Sequence, residues 1–383
     1  MRLVYLDNAA STRVDERVTE EMIPYFNDKY AVATSVFSYR MGLESKKAID
    51  SARKIIAEKI NASSDEIIFT SGETESNNIA ILGTSGKNKG KSHIITTKTE
   101  HLSVLKTIEK LKEGGFLVSY VPVDKEGFID CNALKKSIKK ETLMVAICHA
   151  NEEIGTIQNI EKIGKICREK KILFHVDATQ TFTKMPIDVE KLNITTLTLS
   201  GHTIHGPKGA GALFIKKGTK IDKIMHGGFN EYDLRPGTEN VPAIVGFGEA
   251  VRISGKDCKK VSVLRDYLIE RITNEIPDIK INGPLGKDRL CNNVNISFHH
   301  VEGESILLRL DMKGICVSTG SACFSRSLEM SPTMKAIGNN HELSHGSIRF
   351  TLSKYTTKEE IDYTVESLKK IIKELRKISP LGK

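Results

Sequence analysis

From about residue 13 to residue 215, two kinds of segment alternate along the chain. Short runs rich in β-branched and apolar residues read as strands: EIIFT (66–70), HIITT (93–97), FLVSYVPV (116–123), LMVAICH (143–149), ILFHVDA (172–178), LTLS (197–200) and GALFIKK (211–217). Between most of them the apolar positions recur at helical spacing. Segment 14–26 sets Val14, Val18, Met22 and Phe26 at four-residue steps, one face of a helix, and 43–60 reads as a second helix. Alternation of this kind predicts an α/β fold, with a mostly parallel central sheet flanked by helices on both faces. Ligands of such sheets sit at the carboxyl ends of the strands. After a long helical region (240–273) the pattern changes. NNVNISF (292–298) reads as a strand, 304–314 as a helix, GSIRFTL (346–352) as a strand and 357–377 as a last helix. We expect a large α/β domain over 15–255 and a smaller α+β domain made of 1–14 and 256–383.

Composition adds little that is unusual. The chain has 383 residues, 39% hydrophobic and 27% charged, which suits a soluble protein able to bury a large core. The start, MRLVYLDNAAS, has no apolar signal region, and no apolar run approaches a membrane span, so a cytoplasmic protein is expected. The net charge of +9 is spread along the chain rather than clustered. Mixed-sign helices such as 357–377 read as solvated faces, and no nucleic-acid motif is present. Seven cysteines stand at wide spacings without a C-x-x-C pair, which argues against a closed cysteine-ligated zinc site.

Four segments carry candidate chemistry. TSGETESNN (70–78) reads as a strand end, a glycine turn and a helix start near Thr74, either a phosphate cradle or a plain helix cap. HVDATQ (175–180) puts Asp177 after a buried strand, where a carboxylate needs a partner, a pyridinium nitrogen or a neighbouring loop. SGHTIHGPKG (200–209) offers Ser200 and His202 at another strand end. STGSACFS (318–325) places Cys323 in a small polar loop, a candidate nucleophile, while Arg349 inside an apolar strand calls for a carboxylate, from a ligand or from a structural ion pair.

The order of these segments is more telling than any one of them. YLDNAAST, FTSGETESNN, KTEH, CHANEEIGTIQ, HVDATQ, SGHTIHGPKGAGALF, RPGTENVPAIVGFGEA, VEGESILLRLD, STGSAC and SHGSIRFTLSKYTT make the chain resemble, nearly end to end, the cysteine desulfurases of bacterial and archaeal iron–sulfur assembly, the IscS/NifS group. The resemblance implies the pyridoxal-phosphate (PLP) dependent aminotransferase fold of type I. It implies that Thr74, Ser200 and His202 hold the cofactor phosphate, that His101 stacks on the pyridine ring, that Asp177 pairs with its nitrogen and that Gln180 meets its phenolic oxygen. Thr238 would reach the partner subunit's cofactor in a homodimer. Arg349, with Asn151 beside it, would bind the carboxylate of L-cysteine. Cys323 would take the sulfur as a persulfide and hand it to an IscU-type scaffold protein.

The chain departs from that family at four places around the cofactor. Thr203 stands where SGHK supplies the lysine that forms the Schiff base and moves the Cα proton, worth about 10²–10⁴-fold in rate. Neither His205 nor Lys208 is an evident substitute. Glu152 replaces a usual second asparagine, the stretch AVATSVF (31–37) replaces an Asn-Pro-Ser-Ser-x-His segment, and Glu73 enters the phosphate turn. Two functions therefore compete. One is a cysteine desulfurase. The other is a PLP-deficient dimer whose Cys323 accepts sulfide or ligates a nascent 2Fe–2S cluster shared with the scaffold. A third reading, another fold-type I enzyme such as a selenocysteine lyase, conflicts with the Cys323 loop.

Overall fold

The computed structural model describes residues 3–35, 37–88, 90–319 and 330–379. Seven strands form the main sheet, in the order Ile67–Thr70, Gly211–Ile215, Thr196–Ser200, Leu173–Asp177, Thr142–Cys148, His93–Thr96 and Leu117–Tyr120. Only Gly211–Ile215 runs against its neighbours. The carboxyl ends of the others, among them Thr70, Ser200, Asp177 and Cys148, therefore line one edge. Helices cover both faces, so the inner strands are buried along nearly their whole length, which explains their unbroken apolar runs. The outermost strand stops at Tyr120, short of the predicted 116–123, just before Pro122, which has no N–H for a ladder.

A second, antiparallel sheet has the order Ser318–Thr319, Ser347–Thr351, Asn293–Phe298, Ile279–Ile281. The N-terminal strand Val4–Tyr5 pairs in parallel with Ile315–Cys316. One core cluster spans Val18 to Val251, and a separate one joins Val4 and Leu6 to residues between Val261 and Leu375.

Two helical expectations are revised. Segment 14–26 is two short helices, Glu16–Met22 and Pro24–Asn27, because Pro24 starts a new helix at its first position. Val18 is fully buried, whereas Phe26 is 59% exposed and lies off the core. Region 240–273 breaks into Val241–Ile253 and Cys258–Glu275 around Gly255, whose φ of +89° an L side chain rarely adopts.

Helix Arg40–Lys59 is tied to the sheet edge by a buried ion pair. The Arg53 guanidinium donates to both Glu231 oxygens at 2.6 and 2.7 Å and to Ile67 O at 2.6 Å, and Glu231 Oε2 also accepts from Phe69 N at 2.7 Å. Removing one partner leaves an uncompensated buried charge. Glu231→Ala is expected to lower stability by about 3–5 kcal/mol in urea titration. A loss below about 0.5 kcal/mol, the range of ordinary surface substitutions, would show that the pair does not hold the helix to the sheet.

Candidate active site

Sequence-predicted residues from several strand ends and loops meet in one cavity. Its lining includes Glu73, His101, Asn151, Glu152, Asp177, Gln180, His202 and Arg349. Thr74 borders a shallower pocket beside it, with Lys208. Thr203 does not line the main cavity. It is 1% exposed, its hydroxyl donates to Thr179 O at 2.8 Å, and it faces a neighbouring cavity with Lys184, Cys258 and Cys291. Thr238 is exposed and away from the cavity of its own chain. Cys323 lies outside the described residues.

The turn after strand Ile67–Thr70 sets the electrostatics. Gly72 caps helix Glu73–Asn78 with a φ of +151°, and Gly211 allows the two backbones to touch: a Cβ on Gly211 would stand 2.6 Å from Gly72 Cα. The tight turn aims Glu73 at the end of strand Thr196–Ser200. Glu73 Oε2 accepts from Ser200 Oγ at 2.7 Å and from His202 Nε2 at 3.1 Å. Burial alone would raise the Glu73 pKa, but the His202 hydrogen bond and charge, with the Ser200 hydroxyl, bring it down to about 2. A carboxylate thus occupies the two side-chain donors at this strand end.

Below it lies a chain of buried polar groups. Asp177 accepts from Asn77 Nδ2 at 2.8 Å and from Thr179 N at 3.0 Å. Asn77 Oδ1 in turn accepts from Thr198 Oγ1 and His175 Nε2, while its amide also donates to Ser103 Oγ. Burial pushes His175 down to about 4, which keeps its ring neutral. Ser103 N donates to His101 Nδ1 at 3.2 Å, so the His101 proton sits on Nε2, 4.0 Å from Glu152 Oε1. Burial opposes charge on His101, yet the carboxylates of Glu152, Asp177 and Glu73 outweigh it and raise the pKa.

At the far wall Arg349 Nη2 donates to Asp7 Oδ1 at 2.9 Å. Arg349 Nε is buried and has no hydrogen-bond partner among the described residues. A buried donor on a permanent cation, left unpaired beside a cavity, suits a carboxylate ligand. Asn151 caps its own turn, accepting from Glu153 N and Ile154 N and donating to Thr99 O. Gln180 donates to Ala9 O at 3.2 Å.

Residues 4–364 match the family model for class-V aminotransferases. The chain is 49% identical to a cysteine desulfurase IscS of Dictyoglomus turgidum, over 99% of this chain and 97% of that one. It is 47% identical to the cysteine desulfurase IscS of Methanosarcina thermophila, over 99% and 94%. The chain belongs to the cysteine desulfurase family. A solved NifS-like protein superposes with a TM-score of 0.91 at 38% identity, covering 97% of this chain and all of the other. A structure of SspA in complex with cysteine superposes at 0.82 and 34%, covering 92% and 100%. PLP is the cofactor of this family.

Several residues of this desulfurase-family cavity were not singled out from sequence. Asp7 belongs to YLDNAAST, but nothing local marks it as the partner of a strand 342 positions away. Glu100 and Glu153 line the cavity, and their burial raises both to about 8. Glu100 accepts from Thr97 Oγ1 and Cys148 N, and Glu153 Oε2 accepts from Ser331 Oγ at 2.6 Å. No lysine lines this cavity among the described residues, and the Lys184 amine of the neighbouring cavity is tied to Gln180 O at 2.9 Å.

The two raised carboxyls give stability a definite pH dependence. Between about pH 4.5 and 8 each is protonated in the folded chain and ionised in the unfolded one, so stability falls as pH rises through that window. Glu153→Gln removes one such group while keeping an acceptor for Ser331. It is expected to be near neutral at pH 5 and stabilising at pH 9. The gain is on the order of a few kcal/mol, since each tenfold change in proton affinity is worth about 1.4 kcal/mol. Equal effects at both pH values in guanidinium titrations would contradict a protonated Glu153.

Proposed function

We propose that this chain is a sulfur-handling protein of iron–sulfur cluster assembly that passes sulfur through Cys323 to an IscU-type scaffold. Full-length similarity to cysteine desulfurases supports the role, and the unpaired Arg349 Nε supports a site for the carboxylate of cysteine. The proposal includes a large unit, 15–255, and a small one, 1–14 with 256–383; the two core clusters are consistent with it. It includes a homodimer in which Thr238 reaches the partner's site. Ile23, Phe26, Tyr30, Phe37, Phe229 and Tyr232 are large apolar or aromatic side chains exposed in the single chain, which is consistent with a second copy covering some of them. It also places the protein in the cytoplasm; no described helix is long and apolar enough to cross a membrane.

A second reading, on mechanism, rests on one observation: the Glu73 carboxylate already takes the hydroxyl of Ser200 and the imidazole of His202. In this reading the residues present do not fit PLP. The proposed phosphate donors are engaged by an anion, Glu152 adds a second carboxylate opposite His101, and Thr203, with no amine, turns its hydroxyl to the backbone. The residues keep other tasks: Arg349 orients a carboxylate, and the His101 Nε2 proton is available to a bound anion. Cys323 then lends its thiolate to a 2Fe–2S cluster on the scaffold, a ligation that needs no change of oxidation state at sulfur.

The test compares wild type, Cys323→Ser and Thr203→Lys. Cys323→Ser is expected to abolish sulfur or cluster transfer to the scaffold, whereas Cys131→Ser is not; equal behaviour of the two would remove Cys323 from the account. As isolated, wild type is expected to lack a lysine-linked aldimine band, and borohydride to fix no cofactor on it. Thr203→Lys is expected to bring part of that band back. Wild type that is reducible onto a lysine, or that turns over cysteine like a lysine-bearing relative, would sink the second reading and leave the first.

A further inference from the structure

Far along the chain from these residues, the strand Asn293–Phe298 runs into the sequence His299-His300. In an extended strand consecutive side chains point to opposite faces. Here they do not, because His300 adopts a left-handed backbone with a φ of +66°, a region that non-glycine residues seldom enter. The result is that the two imidazole rings lie on one side, with centroids 5.8 Å apart. Backbone strain held in place at His300, beside a second histidine, asks for a reason.

Glu342 completes the arrangement. It lies in the short helix His341–His345, and its Oε1 stands 3.5 Å from His299 Nδ1 and 3.4 Å from His300 Nδ1. The same oxygen accepts from His300 N at 3.1 Å, which fixes the carboxylate. One ligand atom from each of the three residues falls within 4.8 Å of the other two. Ligands at about 2.0–2.1 Å from a tetrahedral ion stand roughly 3.3–3.5 Å apart, so the two nitrogen–oxygen separations match tetrahedral edges. His300 Nδ1 is buried and has no hydrogen-bond partner among the described residues. Arg376 holds the turn in place by donating to His299 O and Asp278 O at 3.1 and 2.8 Å. The H-E-x-x-H spacing of 341–345 is not itself the site: His341 and His345 stack on each other with centroids 4.0 Å apart, and the ion-sized group forms with Glu342 instead.

We infer that His299, His300 and Glu342 form a binding site for a divalent first-row transition-metal ion, separate from the desulfurase-type cavity. Two imidazoles and one carboxylate suit zinc, cobalt, nickel or ferrous iron rather than magnesium or calcium. The three residues are partly exposed, so an ion enters from solvent and keeps water in its remaining positions. A bound ion clamps the end of strand Asn293–Phe298 to the helix that leads directly into Ser347–Thr351, the strand carrying Arg349.

The probe is Co²⁺ added to protein stripped with a chelator. One equivalent is expected to bind, with visible d–d bands and no thiolate-to-cobalt charge-transfer band, and Zn²⁺ is expected to displace it. His300→Ala and Glu342→Gln are each expected to weaken binding at least tenfold, whereas His341→Ala is not. No binding by wild type, a thiolate band, or equal affinity in the His300 and Glu342 variants would overturn the site. Should the variants fold poorly, wild-type crystals soaked in Co²⁺ decide the matter: an anomalous peak between the three side chains is expected, and its absence contradicts the inference.

Discussion

The hydrogen bonds from Ser200 and His202 to the Glu73 carboxylate set the character of the central cavity. They depend on two glycines, Gly72 for the turn and Gly211 for the close approach of the neighbouring strand. They also depend on the strand order, which delivers Thr70 and Ser200 to the same edge of the sheet. With that carboxylate ionised down to about pH 2, the donor cluster is satisfied from within the chain.

The rest of the cavity follows from this placement. The anion at Glu73 adds to those of Glu152 and Asp177, and together they raise His101 despite its burial. Glu100 and Glu153, buried nearby, stay protonated near neutral pH. Against these groups stands Arg349, shared with Asp7 and still holding one unpaired donor. In the second reading proposed above, such a cavity takes a ligand that brings a single carboxylate to Arg349 in preference to one that brings a doubly charged phosphate to Ser200 and His202. The proposed loss of cofactor chemistry therefore involves more than Thr203.

Much of the fold was legible from the chain, because fully buried strands and amphipathic helices leave patterns of different period. The inner strands match the apolar runs to within two residues for that reason. The two-residue strands Val4–Tyr5 and Ile315–Cys316 were not, since pairs of residues carry no period. The helix over 14–26 was read too long because a regular apolar step persists across Pro24, and Phe26 keeps that step while facing solvent. At the site, motif order located Glu73, His101, Asp177, His202 and Arg349. It could not show that Glu73 reaches Ser200, which depends on two loops brought together 127 positions apart. The histidine pair at 299–300 carries no sequence signal for a similar reason: one left-handed residue and a glutamate 42 positions away bring the group together.

The measurement that bears most directly on this account is the equilibrium affinity for PLP of wild type and of Glu73→Ala, followed by dialysis. If the Glu73 carboxylate fills the phosphate donors, removing it frees Ser200 and His202, and the variant binds PLP at least about tenfold more tightly, a difference near 1.4 kcal/mol. Equal affinities, or tighter binding by wild type, would contradict the claim that the chain's own carboxylate holds the place of the cofactor phosphate.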